Sequence, residues 1–174
     1  MILGVLSDTH RNHVLMQQAV DLMVERLGAV HLIHLGDDWE DKEYLDQLGY
    51  SVSGVPGLWC PAYMDNSVPR VRLDDFNGIS VAYVHDMQAL GTVPSSTALL
   101  LSGHTHRPCI DLWQGIPHMN PGHLKHGKDR GQEATFGLIR LEAGSMSLDI
   151  YGLDGQTRQS RLFTLQTEEQ GTEE

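Results

Sequence analysis

The sequence predicts an α/β protein that becomes α+β in its second half, with two packed β-sheets flanked by helices. Two strand-then-helix steps near the start of the chain favour a parallel sheet, and four turn dipeptides after residue 68 favour hairpins. With 174 residues and 40% apolar side chains, the chain is long enough to bury a sizeable core. We expect a single domain over residues 1–165.

Apolar runs and helical periodicity alternate in the first half of the chain. Residues 1–7 predict a buried strand, and Asn12 is a suitable N-cap for a helix that extends to about residue 27. The apolar face of that helix consists of Leu15, Ala19, Leu22, Met23 and Leu27. A second strand over residues 30–35 precedes a short acidic helix that ends at Gly49, and residues 50–55 form a third extended run.

Turn dipeptides divide the second half of the chain into short extended runs. They are Asn77-Gly78, Gln114-Gly115, Ala143-Gly144 and Asp154-Gly155. Because tight turns of this kind join antiparallel strands, we expect the second half to be antiparallel.

Charge and composition restrict the function. The formal net charge of −11 argues against a nucleic-acid groove, which requires clustered Lys and Arg. The chain reaches Asp8 without a basic start or a long apolar segment, so we expect a cytoplasmic protein that does not span a membrane. Cys60 and Cys109 are expected to be free thiols. Residues 166–174 contain four carboxylates and no apolar side chain, and we expect a disordered tail there.

Side chains that commonly bind metal ions follow four of the expected strands. The six candidates are Asp8, His10, Asp37, His85, His104 and His106. Site residues of layered α/β proteins lie just beyond the carboxyl ends of strands. Carboxylate and imidazole groups suit Mn²⁺, Fe, Ni²⁺ or Zn²⁺. The sequence therefore predicts a metal centre formed by these side chains.

The order of the short motifs around these residues resembles that of one known superfamily. The chain has D-x-H at residues 8–10, G-D at 36–37, an isolated His85, G-H-x-H at 103–106 and N-P-G at 120–122. This order resembles the calcineurin-like metallophosphoesterases, and above all their small prokaryotic phosphodiesterases, which are related to the vacuolar sorting subunit of retromer. The resemblance covers roughly the first 125 residues and implies a four-layer metallophosphoesterase sandwich.

The resemblance also implies a role for each candidate. A first metal ion would be held by Asp8, His10 and His106. A second would be held by His85 and His104, with Asp37 bridging the two ions. A water shared by the cations would attack phosphorus, which makes Asp37, His85 and His104 the candidate catalytic residues. The implied function is a metal-dependent phosphoesterase that acts on a small phosphoester, with phosphodiesters favoured as substrates and Mn²⁺ favoured over Fe, Ni or Zn.

One family motif is altered in this chain. Where the family has G-N-x-[DH], the chain reads Gly54-Val55-Pro56-Gly57-Leu58, and neither Val55 nor Leu58 can bind a metal. We therefore expect the second metal ion to bind more weakly than the first. The general acid that a family histidine supplies is also missing here, and its replacement is open. Candidate substitutes for the lost ligand are Cys60, Asp65, Asn66 and His123.

Two other functions remain open. A non-catalytic interaction scaffold could keep this fold, as the retromer subunit is thought to do, and lost metal ligands favour that alternative. A phosphomonoesterase would be expected to place cationic groups around the phosphate dianion, for which Arg11 and Arg107 are the nearby candidates. The oligomeric state is also open, with a homodimer among the alternatives.

Several polar and aromatic residues near the motifs are expected to have structural roles. Asp38 is the expected N-cap of the acidic helix, and His31 and His34 are expected to pack within their strand. Trp59 and Tyr63 are expected to pack their loop, with stacking on an aromatic leaving group as the alternative.

Overall fold

The computed structural model describes residues 1–165, so the tail expected over residues 166–174 lies outside the described residues. The strands, in chain order, are β1 (Ile2–Leu6), β2 (His31–His34), β3 (Val52–Gly54), β4 (Val71–Phe76), β5 (Ile79–Val84), β6 (Leu99–Ser102), β7 (Cys109–Trp113), β8 (Ile116–Asn120), β9 (Lys128–Asp129), β10 (Gln132–Glu133), β11 (Thr135–Glu142), β12 (Ser145–Gly152) and β13 (Thr157–Thr164). The α-helices are α1 (His13–Asp21), α2 (Trp39–Gln47) and α3 (Pro61–Met64), with a π-helical turn over Leu22–Arg26 and a 3₁₀ turn over Met87–Ala89.

The first sheet has six strands in the order β13-β12-β11-β1-β2-β3. Strands β1, β2 and β3 are parallel, as their alternation with helices predicted. Strand β11 runs antiparallel to β1 and begins a meander through β12 and β13. The carboxyl ends of the three parallel strands therefore meet at one edge of this sheet.

The second sheet has five strands in the order β4-β5-β6-β8-β7. Hairpins form at all four predicted turn dipeptides, and at Asn77-Gly78 both residues have the positive φ values, 57° and 80°, of a type I′ turn. The expectation that the whole second half is antiparallel is wrong, because β5, β6 and β8 run parallel. The connection from β5 to β6, residues 85–98, contains a 3₁₀ turn instead of an α-helix, so no helical periodicity marked it as a crossover.

The main core lies between the two sheets. Alternate residues of the central strands point into it and are fully buried, among them Leu3, Val5, Ile33, Tyr83, Leu99, Leu101 and Met119. This period of two is typical of strands whose two faces pack against different layers.

Helices α1 and α2 pack on the outer face of the first sheet, with Met16 and Leu45 among their buried residues. Asn12 caps α1 as predicted, since its Oδ1 accepts a hydrogen bond from Leu15 N at 3.2 Å. The π-helical turn that continues α1 lies so close to β1 that a Cβ at Gly4 would be 2.5 Å from the sulfur of Met23. Within residues 1–165, no helix is both long and apolar enough to cross a membrane.

Candidate metal centre

The six candidate ligands lie in the four loops that follow β1, β2, β5 and β6. Four of them form a cluster in which one ligand atom from each lies within 4.8 Å of all the others, namely Asp8, His10, Asp37 and His106. The other two, His85 and His104, have neighbouring rings with centroids 5.2 Å apart. The loops thus bring the candidates together at the carboxyl ends of parallel strands, where the sequence placed them.

Short contacts connect the four-residue cluster. His10 Nε2 lies 2.5 Å from Asp37 Oδ2 and 3.3 Å from His106 Nε2. His106 Nε2 lies 3.2 Å from Asp8 Oδ1. Burial raises the pKa of Asp37, but the adjacent imidazoles of His10 and His85 outweigh it and hold that pKa well below its usual range. Asp37 is therefore an anion at neutral pH.

Asp37 connects the four-residue cluster to the remaining pair of histidines. Its Oδ2 faces His10, and its Oδ1 lies 3.0 Å from His85 Nε2. One carboxylate therefore presents one oxygen to each group, which is the arrangement that a ligand shared between two cations needs.

Unpaired buried atoms show that these residues fit a metal ion. Within residues 1–165, six buried side-chain nitrogen or oxygen atoms have no hydrogen-bond partner, and three of them are Asp8 Oδ1, Asp37 Oδ2 and His85 Nε2. Buried polar atoms are normally paired, because leaving them unpaired costs free energy. Asp8 Oδ1 and Asp37 Oδ2 belong to the four-residue cluster, and His85 Nε2 lies beside the other oxygen of Asp37, so a divalent cation on each side of Asp37 would satisfy these atoms.

Asp8 is oriented by two donors. Its Oδ2 accepts hydrogen bonds from Ser7 Oγ at 2.6 Å and from His104 N at 2.9 Å, which leaves Oδ1 to face the cluster. A Cβ at Gly103 would lie 2.0 Å from Ser7 Oγ. The glycine of the G-H-x-H motif therefore lets the two ligand loops approach each other.

The backbone of both ligand loops is strained. Left-handed φ values occur at the non-glycine residues Asp8 (52°), His10 (46°), Arg11 (61°), His104 (66°) and His106 (60°). Each such conformation costs about 1–3 kcal/mol and persists only where the surrounding structure holds it. The concentration of this strain in the loops that carry the candidate ligands is typical of a functional site.

Two of the histidines are held at the ring nitrogen that faces away from the centre. His85 Nδ1 lies 2.6 Å from the carbonyl oxygen of Leu35, and His106 Nδ1 lies 2.6 Å from Asp129 Oδ2. Burial lowers the pKa of His106, but the carboxylates of Asp8 and Asp129 outweigh it and raise that pKa. Such outer partners fix the ring and strengthen it as a ligand. Asp129 could not be predicted from the sequence, because it follows no long strand and belongs to no motif.

Replacing Asp129 with asparagine should weaken Mn²⁺ binding by about 10-fold, the lower end of the range for outer partners, because the amide can still accept a hydrogen bond from His106. Equilibrium dialysis of the metal-free protein measures the change. Asp21→Asn, on the surface of α1, is the matched control and should leave binding unchanged. Equal affinities in all three proteins would show that Asp129 does not support the centre.

A buried hydrogen-bonded chain joins the loops that carry Asp8 and Asp37. Gly36 N donates to His34 Nδ1, so His34 Nε2 carries the proton and donates to Thr9 Oγ1 at 3.0 Å. Thr9 Oγ1 donates in turn to Asp41 Oδ2 at 2.5 Å. Burial lowers the pKa of His34 to about 4, in agreement with a neutral ring.

The two strand histidines pack as the sequence predicted. His34 is fully buried in the chain described above, and His31 contacts the hydroxyls of Ser51 and Ser53 at 2.8 and 2.9 Å. Asp38 occupies the N-cap position of α2, also as predicted, but its carboxylate lies 3.3 Å from Arg11 Nε and makes no capping hydrogen bond.

The altered loop after β3 contacts Asp37 through its backbone. Val55 is fully buried in the core between the sheets, and Leu58 is half-buried. Gly57 N donates to the carbonyl oxygen of Asp37 at 2.9 Å, and a Cβ at Gly57 would lie 2.3 Å from Asp37 Cα. The loop therefore touches the backbone of Asp37 without offering a ligand from Val55 or Leu58.

The candidate substitutes for the lost ligand have other contacts. The thiol of Cys60, which is free as predicted, donates to the carbonyl oxygen of Gly57 at 3.2 Å. Asp65 is exposed and accepts a hydrogen bond from Ser67 N, and Asn66 is exposed. The buried ring of His123 lies 5.3 Å from that of His106, on the side of the four-residue cluster. None of these contacts involves His85 or His104.

The two aromatic residues of this region differ. Tyr63 is half-buried beneath the guanidinium of Arg70, 3.9 Å from the ring centroid, as packing predicted. Trp59 is 85% exposed, so the expectation that it packs the loop is wrong. Gly57 N donates to the Asp37 backbone and the Cys60 thiol donates to the Gly57 carbonyl, while the indole of Trp59 between them projects into solvent.

Comparisons with known proteins agree with the geometry. Residues 1–144 match the family described as the calcineurin-like phosphoesterase superfamily domain. The probable metallophosphoesterase of Methanocaldococcus jannaschii is 30% identical over 133 residues, which is 70% of this chain and 67% of that protein.

Solved structures share the two-sheet fold. Yfce, a phosphoesterase from E. coli, has a TM-score of 0.73 at 20% identity, over 92% of this chain and 98% of that chain. Vps29 from Chaetomium thermophilum has a TM-score of 0.70 at 14% identity, over 94% and 98%. A novel archaeal phosphodiesterase has a TM-score of 0.64 at 15% identity, over 95% and 100%. These likenesses confirm the predicted fold class of two packed sheets flanked by helices.

Proposed function

This chain belongs to the calcineurin-like phosphoesterase superfamily, and we propose that it is a metal-dependent phosphoesterase that acts on phosphodiesters. The position of Asp37 carries the proposal, because its two oxygens face His10 on one side and His85 on the other. A carboxylate placed in this way supports a centre for two divalent cations, of which Mn²⁺ is our favoured choice.

The chain divides the ligands into two sets. The first cation would be held by Asp8, His10 and His106, the second by His85 and His104, and Asp37 would belong to both sets. When bound, the two metal ions supply positive charge to the phosphoryl oxygens and lower the pKa of water. The protein supplies fixed ligand orientation, because His106 Nδ1 donates a hydrogen bond to Asp129 and His85 Nδ1 donates one to the carbonyl oxygen of Leu35.

The preference for diesters rests on the surrounding cations. A phosphomonoester dianion favours free guanidinium or ammonium groups at its oxygens. The Arg11 guanidinium instead lies 3.3 Å from Asp38 and 3.7 Å from Glu40, and Lys125 lies 3.8 Å from Asp129. Arg107, the other candidate, is exposed. A diester carries one negative charge fewer near neutral pH and depends less on such groups. The exposed indole of Trp59, on the loop that touches Asp37, would offer a face to an aromatic leaving group.

Hydrolysis of an aryl phosphodiester tests the proposal. The protein freed of metal should be inactive, and added Mn²⁺ should restore turnover, with the diester cleaved faster than the matching aryl monoester. A chelator added in excess of the metal should abolish the activity again. Undiminished turnover after confirmed removal of metal would contradict the proposal, and faster cleavage of the monoester would reverse the assigned preference.

A non-catalytic scaffold is the second candidate, and the apolar loop around Val55 favours it. A scaffold would bind metal ions at this centre without measurable hydrolysis. Metal content and turnover measured on one preparation therefore distinguish the two functions.

A further inference from the structure

A second group of metal-binding side chains lies on the β7–β8 hairpin, which contributes none of the six candidates described above. Cys109, Asp111 and His118 each offer one ligand atom, and these atoms all lie within 4.8 Å of one another. Asp111 and His118 are directly opposed in register. Cys109 lies two residues before Asp111 on the same strand, so all three side chains share one face of the sheet.

Ser102, at the end of the neighbouring strand β6, orients the imidazole of His118. The Ser102 hydroxyl lies 2.8 Å from His118 Nε2, and His118 Nδ1 lies 2.7 Å from Asp111 Oδ1. Histidines that bind metals commonly have their other ring nitrogen held by such a partner, which fixes the ring and its tautomer. Nδ1 is therefore the nitrogen that His118 presents to Asp111 and Cys109.

We propose that Cys109 Sγ, the Asp111 carboxylate and His118 Nδ1 bind a divalent transition-metal ion, with Zn²⁺ as the best match. Zinc accepts thiolate, imidazole and carboxylate ligands in one tetrahedral site. Three protein ligands leave the fourth position for water, as the exposed position of Asp111 allows. This site is independent of the centre at Asp37 and would fasten the edge strand β7 to β8.

The proton and charge balance of the site is simple. In the metal-free protein His118 Nδ1–H donates to the Asp111 carboxylate. When the metal binds, the Cys109 thiol loses its proton to solvent, and the imidazole proton is transferred to Nε2, which then donates to Ser102 Oγ. The thiolate and the carboxylate together then neutralise the two positive charges of the ion. Burial, together with the nearby carboxylate of Asp111, raises the pKa of the Cys109 thiol, so the thiol is protonated until a cation arrives.

Nucleophilic catalysis is the competing use of these residues, and the geometry argues against it. A reactive cysteine needs a lowered thiol pKa and a base that can take its proton. Both nitrogens of His118 are already occupied, by Asp111 and by Ser102. Ser102 faces His118 Nε2 as a serine nucleophile would, but it is only 2% exposed and a substrate cannot reach it.

Titration of the metal-free protein with Co²⁺ tests the proposal. Cobalt bound by a thiolate absorbs strongly in the near ultraviolet through sulfur-to-metal charge transfer, whereas the six candidate ligands of the centre at Asp37 offer only nitrogen and oxygen atoms. The wild-type protein should show this band. Cys109→Ser should lose it and bind one metal ion fewer per chain, and the matched control Cys60→Ser should keep it.

A second variant distinguishes loss of metal binding from loss of folding. Asp111 is exposed, so Asp111→Asn should fold normally and weaken the binding that produces the band by about 100-fold or more. Thermal unfolding of the metal-free proteins checks that their stabilities match. The proposal is overturned if the wild-type protein shows no band, or if the band survives in Cys109→Ser. It is also overturned if the band disappears in Cys60→Ser, which would place the thiolate ligand in the loop beside Asp37.

Discussion

Replacing Asp37 with asparagine should lower the rate of aryl phosphodiester hydrolysis by about 10²-fold or more, and by more than His85→Ala does. The two oxygens of Asp37 face His10 and His85, so the substitution affects both sets of ligands. His85 belongs to one set only, the one that has lost a ligand in the altered loop. An asparagine at residue 37 also removes the negative charge that balances the cations.

Turnover at saturating Mn²⁺, measured together with metal content, checks this order of effects. Asp38→Asn is the matched control, because its carboxylate pairs with Arg11 outside the cluster, and it should change the rate by no more than about 2-fold. Small and equal effects of Asp37→Asn and His85→Ala would favour the interaction scaffold over the enzyme.

Local patterns were sufficient to predict the parallel part of the first sheet. The apolar segments of the first half form β1 to β3, and the segments with helical periodicity between them form α1 and α2. Asn12 caps the first helix. The parallel order of β5, β6 and β8 could not be predicted in this way. The crossover between β5 and β6, residues 85–98, contains no α-helix. The direction of β6 therefore depends on long-range packing, which leaves no periodic pattern of apolar residues in the sequence.

The candidate ligands were predictable for a different reason. Each follows a strand directly, so the fold brings them to one edge. The partners that orient them were not predictable, because they arrive from elements with no motif of their own. Asp129 reaches His106 from the two-residue strand β9, and Asp41 joins Thr9 from the first turn of α2. A lone carboxylate in a polar segment has no sequence signal that separates it from a solvated one.

The second cation should bind at least 100-fold more weakly than the first. Loss of an outer partner alone typically costs 10–100-fold in metal affinity, so loss of a direct ligand should cost at least the upper part of that range. Val55 is buried in the core, and the contacts of Cys60, Asp65 and His123 do not involve His85. The second set therefore retains His85, His104 and a share of Asp37. Three protein ligands can still hold a metal when water or substrate completes its shell.

Calorimetric titration of the metal-free protein with Mn²⁺ measures both affinities. The Cys109→Ser variant is the suitable background, because it removes the thiolate of the hairpin site. One tight binding event should be followed by a weak one, and inorganic phosphate should strengthen the weak event by adding oxygen ligands. Two equally tight events without phosphate would contradict the expectation and show that another side chain of this protein completes the second set of ligands.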